Sequence, residues 1–183
     1  VLTRPSPVPK EHGIYAWYFR NIPKNFPIGN GRKLKQDDLT LLYVGISPRN
    51  KPSSQNLHKR ISRHFSGNAK GSTLRLSLGV LLEKESKFPL RRVGTSGTTK
   101  TFTHAGEQWL DKWMEQNAFV CWVEHSKPWE LEADIFRELD LPLNIQLNSH
   151  HPFANELSQA RRNASAQAKA CPIANQQNQR RRV

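Results

Sequence analysis

Two stretches decide the fold, HGIYAWYFR at residues 12–20 and LLYVGISP at residues 41–48. Both are short and rich in β-branched and aromatic residues, so each predicts a strand, over 13–19 and 39–46. Between them, residues 20–40 hold Pro23, Pro27, Gly29, Gly31 and several lysines, a composition that predicts a long loop. Two such runs pair most simply as an antiparallel hairpin.

Working outward, residues 47–55 predict a loop. The spacing of Leu57, Ile61 and Phe65 predicts a helix over 56–65, stopped by Gly67. A second helix is expected over 72–85 with Ser72 as its cap, then a mobile Gly/Thr/Lys-rich stretch over 86–100. A third helix over 103–118 would turn Ala105, Trp109 and Trp113 inward. Residues 119–125 alternate as a strand, and 128–139 form a helix opened by Pro128. Residues 141–148 close the domain. The expected organisation is an extended proline-bearing arm over 1–12, one domain over 13–155 and a basic, flexible tail over 156–183, with a short helix near 154–170; the tail is either a solubilising end or an auxiliary phosphate clamp.

The chain has 183 residues and a formal net charge of +13, with a sequence pI near 10.2. A field of that sign favours phosphate polyanions, by steering and by counterion release. Only 36% of residues are hydrophobic, but five Trp and eight Phe supply bulk for one core. Cys121 and Cys171 form no CxxC pair, which excludes a zinc knuckle and points to a reducing cytoplasm, beside the nucleoid in a bacterium. No apolar run reaches the length of a membrane span.

Some polar residues sit where periodicity expects apolar ones. On the helix 128–139, Trp129, Leu131, Ile135, Phe136 and Leu139 define an apolar arc, and Glu132 projects into its middle, near Trp129 and Phe136. A carboxylate there costs several kcal/mol unless it is paired or binds a metal. It is either a rim residue salt-bridged to an arginine, or a metal ligand or general base in a cleft. On the helix 56–65, Arg60 and His64 share one flank of the buried stripe while Lys59 and Arg63 point away. Arg60 can grip a phosphate and His64 can bond or protonate an oxygen; the alternative is a surface pair without a role. The Gly-rich basic run SGNAKGSTLR at 66–75 contains Lys70 and Arg75 and lacks a nucleotide-binding loop's GKS/T, so it is a DNA-facing loop or a connector. NSHHPF at 148–153 hints at a His-metal nuclease, but no His follows His151 to complete the site. The tryptophans 17, 109, 113 and 122 can stack bases, though their spacing fits core positions better.

Gly13-Ile14-Tyr15 on one strand and Tyr43-Val44-Gly45 on the next, followed by helical Arg60, resemble the GIY-YIG nuclease family, with Val where that family has Ile. Glu132 matches the family's glutamate on a later helix, and Asn144 in LPLNIQLN its following asparagine. The resemblance spans residues 13 to about 148. The pair Arg60 and His64, and the long 16–42 connection, are most similar to the restriction-endonuclease branch. The resemblance implies an α+β fold, a small antiparallel sheet flanked by helices with the site on a concave face. It implies hydrolysis of a DNA phosphodiester with one divalent metal, Mg²⁺ or Mn²⁺, held by Glu132. Tyr15 would accept a proton from, or orient, the attacking water, although a phenol of pKa about 10 needs the metal or a nearby cation to ionise. Tyr43 would bond the phosphate or the water, Arg60 would offset growing phosphoryl charge, His64 would assist proton transfer, and Asn144 would fix neighbouring groups. Lys59, Arg63, Lys70 and Arg75 are the candidate substrate contacts. Cutting both strands would require a homodimer or two successive nicks. Repair and mobile-element nicking stay open, as does a non-catalytic nucleic-acid-binding module of the same fold.

Overall fold

The computed structural model describes residues 3–22, 33–34, 38–50, 53–139, 141–146 and 151–176. Along the chain run β1 (Gly13–Phe19), β2 (Lys33–Leu34), β3 (Leu39–Ser47), α1 (Leu57–Ser66), α2 (Thr73–Leu81), α3 (Glu83–Ser86), β4 (Arg91–Val93), β5 (Thr99–Thr101), α4 (Thr103–Asn117), β6 (Ala118–Glu124), α5 (Pro128–Glu138) and α6 (Pro152–Ala170). This is the α+β architecture expected, a small antiparallel sheet with flanking helices. Its strand order is β2-β3-β1-β6, and β4 and β5 form a separate hairpin. The two deciding runs are neighbours, with Tyr15 opposite Gly45 and Tyr43 opposite Trp17 across β1 and β3.

Alternation along β1 divides its side chains between two faces. Tyr15, Trp17 and Phe19 are buried on one face, where they join Leu57, Ile61 and Phe65 of α1, Leu74 and Leu78 of α2, and Leu110 and Met114 of α4. Each such side chain removed from water contributes about 1.5–3 kcal/mol. On the other face Ile14, Ala16 and Tyr18 meet Leu41, Val44 and Leu141, and Ile135 of α5 packs over them. The sheet therefore lies between α1, α2, α4 and α6 on one side and α5 on the other.

Five expectations change. The helix expected over 72–85 breaks at Leu82, which ends α2 and precedes the one-turn α3; Ser72 caps α2 by accepting the Arg75 backbone N–H. The stretch 86–100, expected to be mobile, carries β4 and most of β5, anchored where the Ala174 N–H bonds the Arg92 carbonyl. In α4 the buried residues are Gly106, Glu107, Leu110, Trp113, Met114 and Asn117, while Ala105 is exposed and Trp109 half-buried. Finally, α6 is a 19-residue helix whose Phe153, Leu157, Ala164 and Ala168 enter the main core, so no boundary separates it at 155. Nor do residues 8–12 form a free arm: Val8 is buried, and the Pro9 and Glu11 carbonyls accept from the His58 and Leu57 N–H groups of α1. The expectations for the loop at 23–32, for 147–148 and for the final residues 177–183 lie outside the described residues.

Candidate active site

Glycine opens the first tripeptide and closes the second for steric reasons visible in the sheet. A methyl group on Gly45 would collide with the Tyr15 hydroxyl, and one on Gly13 with the Val123 carbonyl of β6. Gly45 thus leaves room for the phenol opposite it. Tyr15 and Tyr43 then share one face of the sheet, their ring centroids 6.4 Å apart.

Below them α1 supplies Arg60 and His64, one helical turn apart. His64 is fully buried; its Nε2 lies 2.8 Å from the Tyr15 hydroxyl and its Nδ1 2.7 Å from Ser72 Oγ. Arg60 Nε–H donates to the Tyr15 oxygen at 3.3 Å. Burial pushes the Tyr15 phenol well above its ordinary value, with Tyr43 adding to the rise and Arg60 opposing it. Burial, reinforced by Arg60 and Arg75, holds His64 well below its ordinary value, so the imidazole is neutral at pH 7.

A cleft of about 600 Å³ opens beside this cluster, floored by Tyr43, Val44, Gly45 and Ile46 of β3. Tyr15 and Arg60 reach it from one side and Glu132 of α5 from the other. Glu132 is half-buried, and burial raises its carboxyl pKa while the Arg49 guanidinium works against the rise. The carboxylate makes no ion pair or hydrogen bond among the described residues. Of its expected neighbours, the Phe136 side chain lies outside the described residues. Asn144 also lines the cleft, but its amide is spent on β3: it accepts from the Val44 N–H at 3.0 Å and donates to the Val44 carbonyl at 2.7 Å. It fills the place of a neighbouring strand and holds the segment between Tyr43 and Gly45.

The cleft gathers Tyr15, Tyr43, Arg60, Glu132 and Asn144 from five separate segments, with His64 directly behind Tyr15. The expected substrate contacts fall elsewhere. Arg75 is corrected outright: it is buried in the core, paired with Glu107 at 2.8 Å and Asp111 at 2.9 Å. Glu107 also accepts the Ala69 and Phe102 N–H groups, so this pair ties α2 and α4 together. Lys59, Arg63 and Lys70 are exposed and outside the cleft; Lys59 bonds the Ser54 carbonyl and Lys70 the Thr99 hydroxyl. Two arginines not named among the expected contacts line the cleft instead. Arg49, just past β3, donates to Gln146 at 2.7 Å, and Arg161 reaches in from α6. Arg49 sits in a run that read as mere loop, and Arg161 in a helix that read as tail.

The model of the GIY-YIG catalytic domain matches residues 13–163, so the chain belongs to that family. It is a nuclease domain, a phosphodiester hydrolase whose substrate is DNA. The match runs into α6 and includes Arg161. No curated protein and no solved structure matches the chain. No helix among the described residues is long and apolar enough to cross a membrane, and Cys121 and Cys171 are free thiols.

Proposed function

We propose that this chain is a divalent-metal-dependent endodeoxyribonuclease, with Tyr15, Tyr43, Arg60, His64 and Glu132 as its working residues. The observation that carries the reading is the delivery to one cleft of two phenols, three guanidiniums and the Glu132 carboxylate, which makes no ion pair or hydrogen bond among the described residues. Such a cleft matches a phosphodiester, which brings negative charge, beside a place for one cation.

The residues fit a hard divalent cation. Glu132 offers a carboxylate with no other partner, and no group of three His, Cys, Asp or Glu stands ready for a metal among the described residues. One carboxylate, with water and phosphate oxygens completing the shell, suits Mg²⁺ or Mn²⁺, which keep most of their waters. When bound, the ion supplies Lewis-acid stabilisation of the phosphate and the leaving oxygen.

The protein's own groups do the rest. Arg60 faces the growing phosphoryl charge while its Nε–H anchors the Tyr15 oxygen. Tyr15 is protonated at rest, because its burial disfavours the phenolate. It acts on the attacking water only when positive charge nearby lowers that cost. His64 supports the step as a neutral imidazole: with a proton on Nε2 it donates to the phenol oxygen, and with Nε2 bare it receives the phenol proton. Ser72 Oγ, at the other ring nitrogen, can donate or accept and so admits both tautomers. Tyr43 orients the water or a phosphate oxygen from the same face.

Cutting both strands with one such cleft per chain requires two copies or two visits, as a restriction-like role would. The test is nicking of supercoiled plasmid by wild-type protein and Glu132→Gln in Mg²⁺ or Mn²⁺. Loss of nicking in a folded variant that still binds DNA supports the proposal. Turnover unaffected by the substitution, or by EDTA, contradicts it.

A further inference from the structure

We propose that Arg161 of α6 is a substrate-binding residue that takes a backbone phosphate next to the scissile one. This deepens the nuclease reading and rests on it. Arg75 is fully buried and Arg161 half-buried, and the two are treated differently. Arg75 has its charge matched by Glu107 and Asp111. Arg161 has no carboxylate partner among the described residues. Its Nη2 donates to the Thr73 carbonyl at 3.0 Å and to the Ser77 hydroxyl, both neutral acceptors. Its Nε–H is buried and has no hydrogen-bond partner among the described residues; Arg91 and Arg92 share that feature but lie outside the cleft. Burial lowers its pKa, and proximity to Tyr43 opposes that.

A half-buried cation whose Nε–H is buried without an acceptor carries a desolvation cost that an anion would relieve. The missing partner is an anion, and the side chain lines the cleft that Arg60 and Tyr43 also line. The bonds to Thr73 and Ser77 fix the guanidinium against α2, so its fork is held before any ligand arrives. Arg60 is already committed to Tyr15 and the reacting phosphate. A second fixed guanidinium in the same cleft therefore suits the next phosphodiester along the strand, by charge-assisted hydrogen bonds. Phosphate contacts of this kind set the register of the strand and carry no base preference.

The experiment measures binding of a short DNA duplex in EDTA, across a range of salt, by wild-type protein, Arg161→Gln and Arg162→Gln. Arg162 is the exposed neighbour, bonded to Gln159 and outside the cleft. The expected result is weaker binding by R161Q on any sequence, with the slope of log K against log salt shallower by about 0.9, one phosphate contact. R162Q stays closer to wild type. Equal losses in both variants, or R161Q binding like wild type, overturn the assignment and leave Arg161 as a tie between α6 and α2. If R161Q does not fold, the Arg161 Nε–H signal in the wild-type spectrum is followed during titration with the same duplex, assigned by its absence from Arg161→Lys. A shift upholds the contact, and a signal that stays still while others move overturns it. Wild-type protein that neither binds nor cuts DNA defeats the nuclease reading itself. Wild-type protein that cuts, with R161Q unaltered, defeats only the Arg161 contact.

Discussion

At the edge of the cleft stands a phenol placed where it resists ionising. Tyr15 is buried between His64 and Arg60, opposite a glycine that gives it space. Replacing Gly45 with Ala adds one methyl group in the position of the Tyr15 hydroxyl. The expected outcome is a folded protein whose nicking rate falls at least tenfold, checked by plasmid assay beside a far-UV spectrum; undiminished nicking would show that the Tyr15 position is not critical. His64 gives a second prediction, with a sign. Its folded-state pKa lies below its ordinary value of about 6.5, so under that pH the unfolded chain binds the proton first. The stability His64 contributes is complete above about pH 6.5 and is lost as pH falls toward its folded pKa. Thermal midpoints at pH 7 and pH 5 should therefore differ more in wild type than in His64→Gln, and equal differences would contradict the buried neutral imidazole. Tyr15, Tyr43 and Glu132 were legible as residues because tripeptides and a helical arc mark them. Their bonding was not: nothing in the order of residues says that His64 lies behind Tyr15, or that Asn144 spends its amide on Val44.

Elements were legible where one period dominates. β1 and α1 follow alternation and a four-residue apolar spacing, and both form with nearly the expected bounds. The hairpin β4–β5 was not legible because its strands are three residues each, Arg91–Val93 and Thr99–Thr101, and the turn between them is rich in Gly, Ser and Thr. Arg75 misled for another reason: a basic residue in a Gly-rich run resembles a surface cation, and its partner Glu107 lies 32 residues on. The largest miss is α6, whose Ala, Asn, Gln and Arg look like solvated tail. Small Ala164 and Ala168 instead allow close approach to its neighbours, and Phe153 and Leu157 anchor its N-terminal part. If α6 is part of the fold, Leu157→Ala should destabilise the whole domain by about 2–5 kcal/mol, as core leucine truncations do. Denaturant unfolding would show this as a shifted midpoint, whereas a change under 0.5 kcal/mol would mark α6 as dispensable.

At the scale of the whole molecule, a net charge of +13 says polyanion, and the family match makes the polyanion DNA. Charge alone could not say where the substrate sits. The cleft is assembled from β1, β3 and the residues just after it, α1, the start of α2, α5, the segment 143–146 and α6, so only the folded chain brings Arg49, Arg60 and Arg161 into one cleft with Glu132. The core on one side of the sheet and α5 on the other hold those groups apart without a ligand, a preorganised site that does not have to be built at the moment of reaction. The measurement that tests this most directly is cleavage of supercoiled plasmid by wild-type protein and Glu132→Gln, each with Mg²⁺, Mn²⁺ or EDTA, alongside DNA binding by both. The account predicts metal-dependent cutting by wild type, none by the variant, and binding by both. Cutting that survives loss of the Glu132 carboxylate, or that proceeds in EDTA, would contradict it.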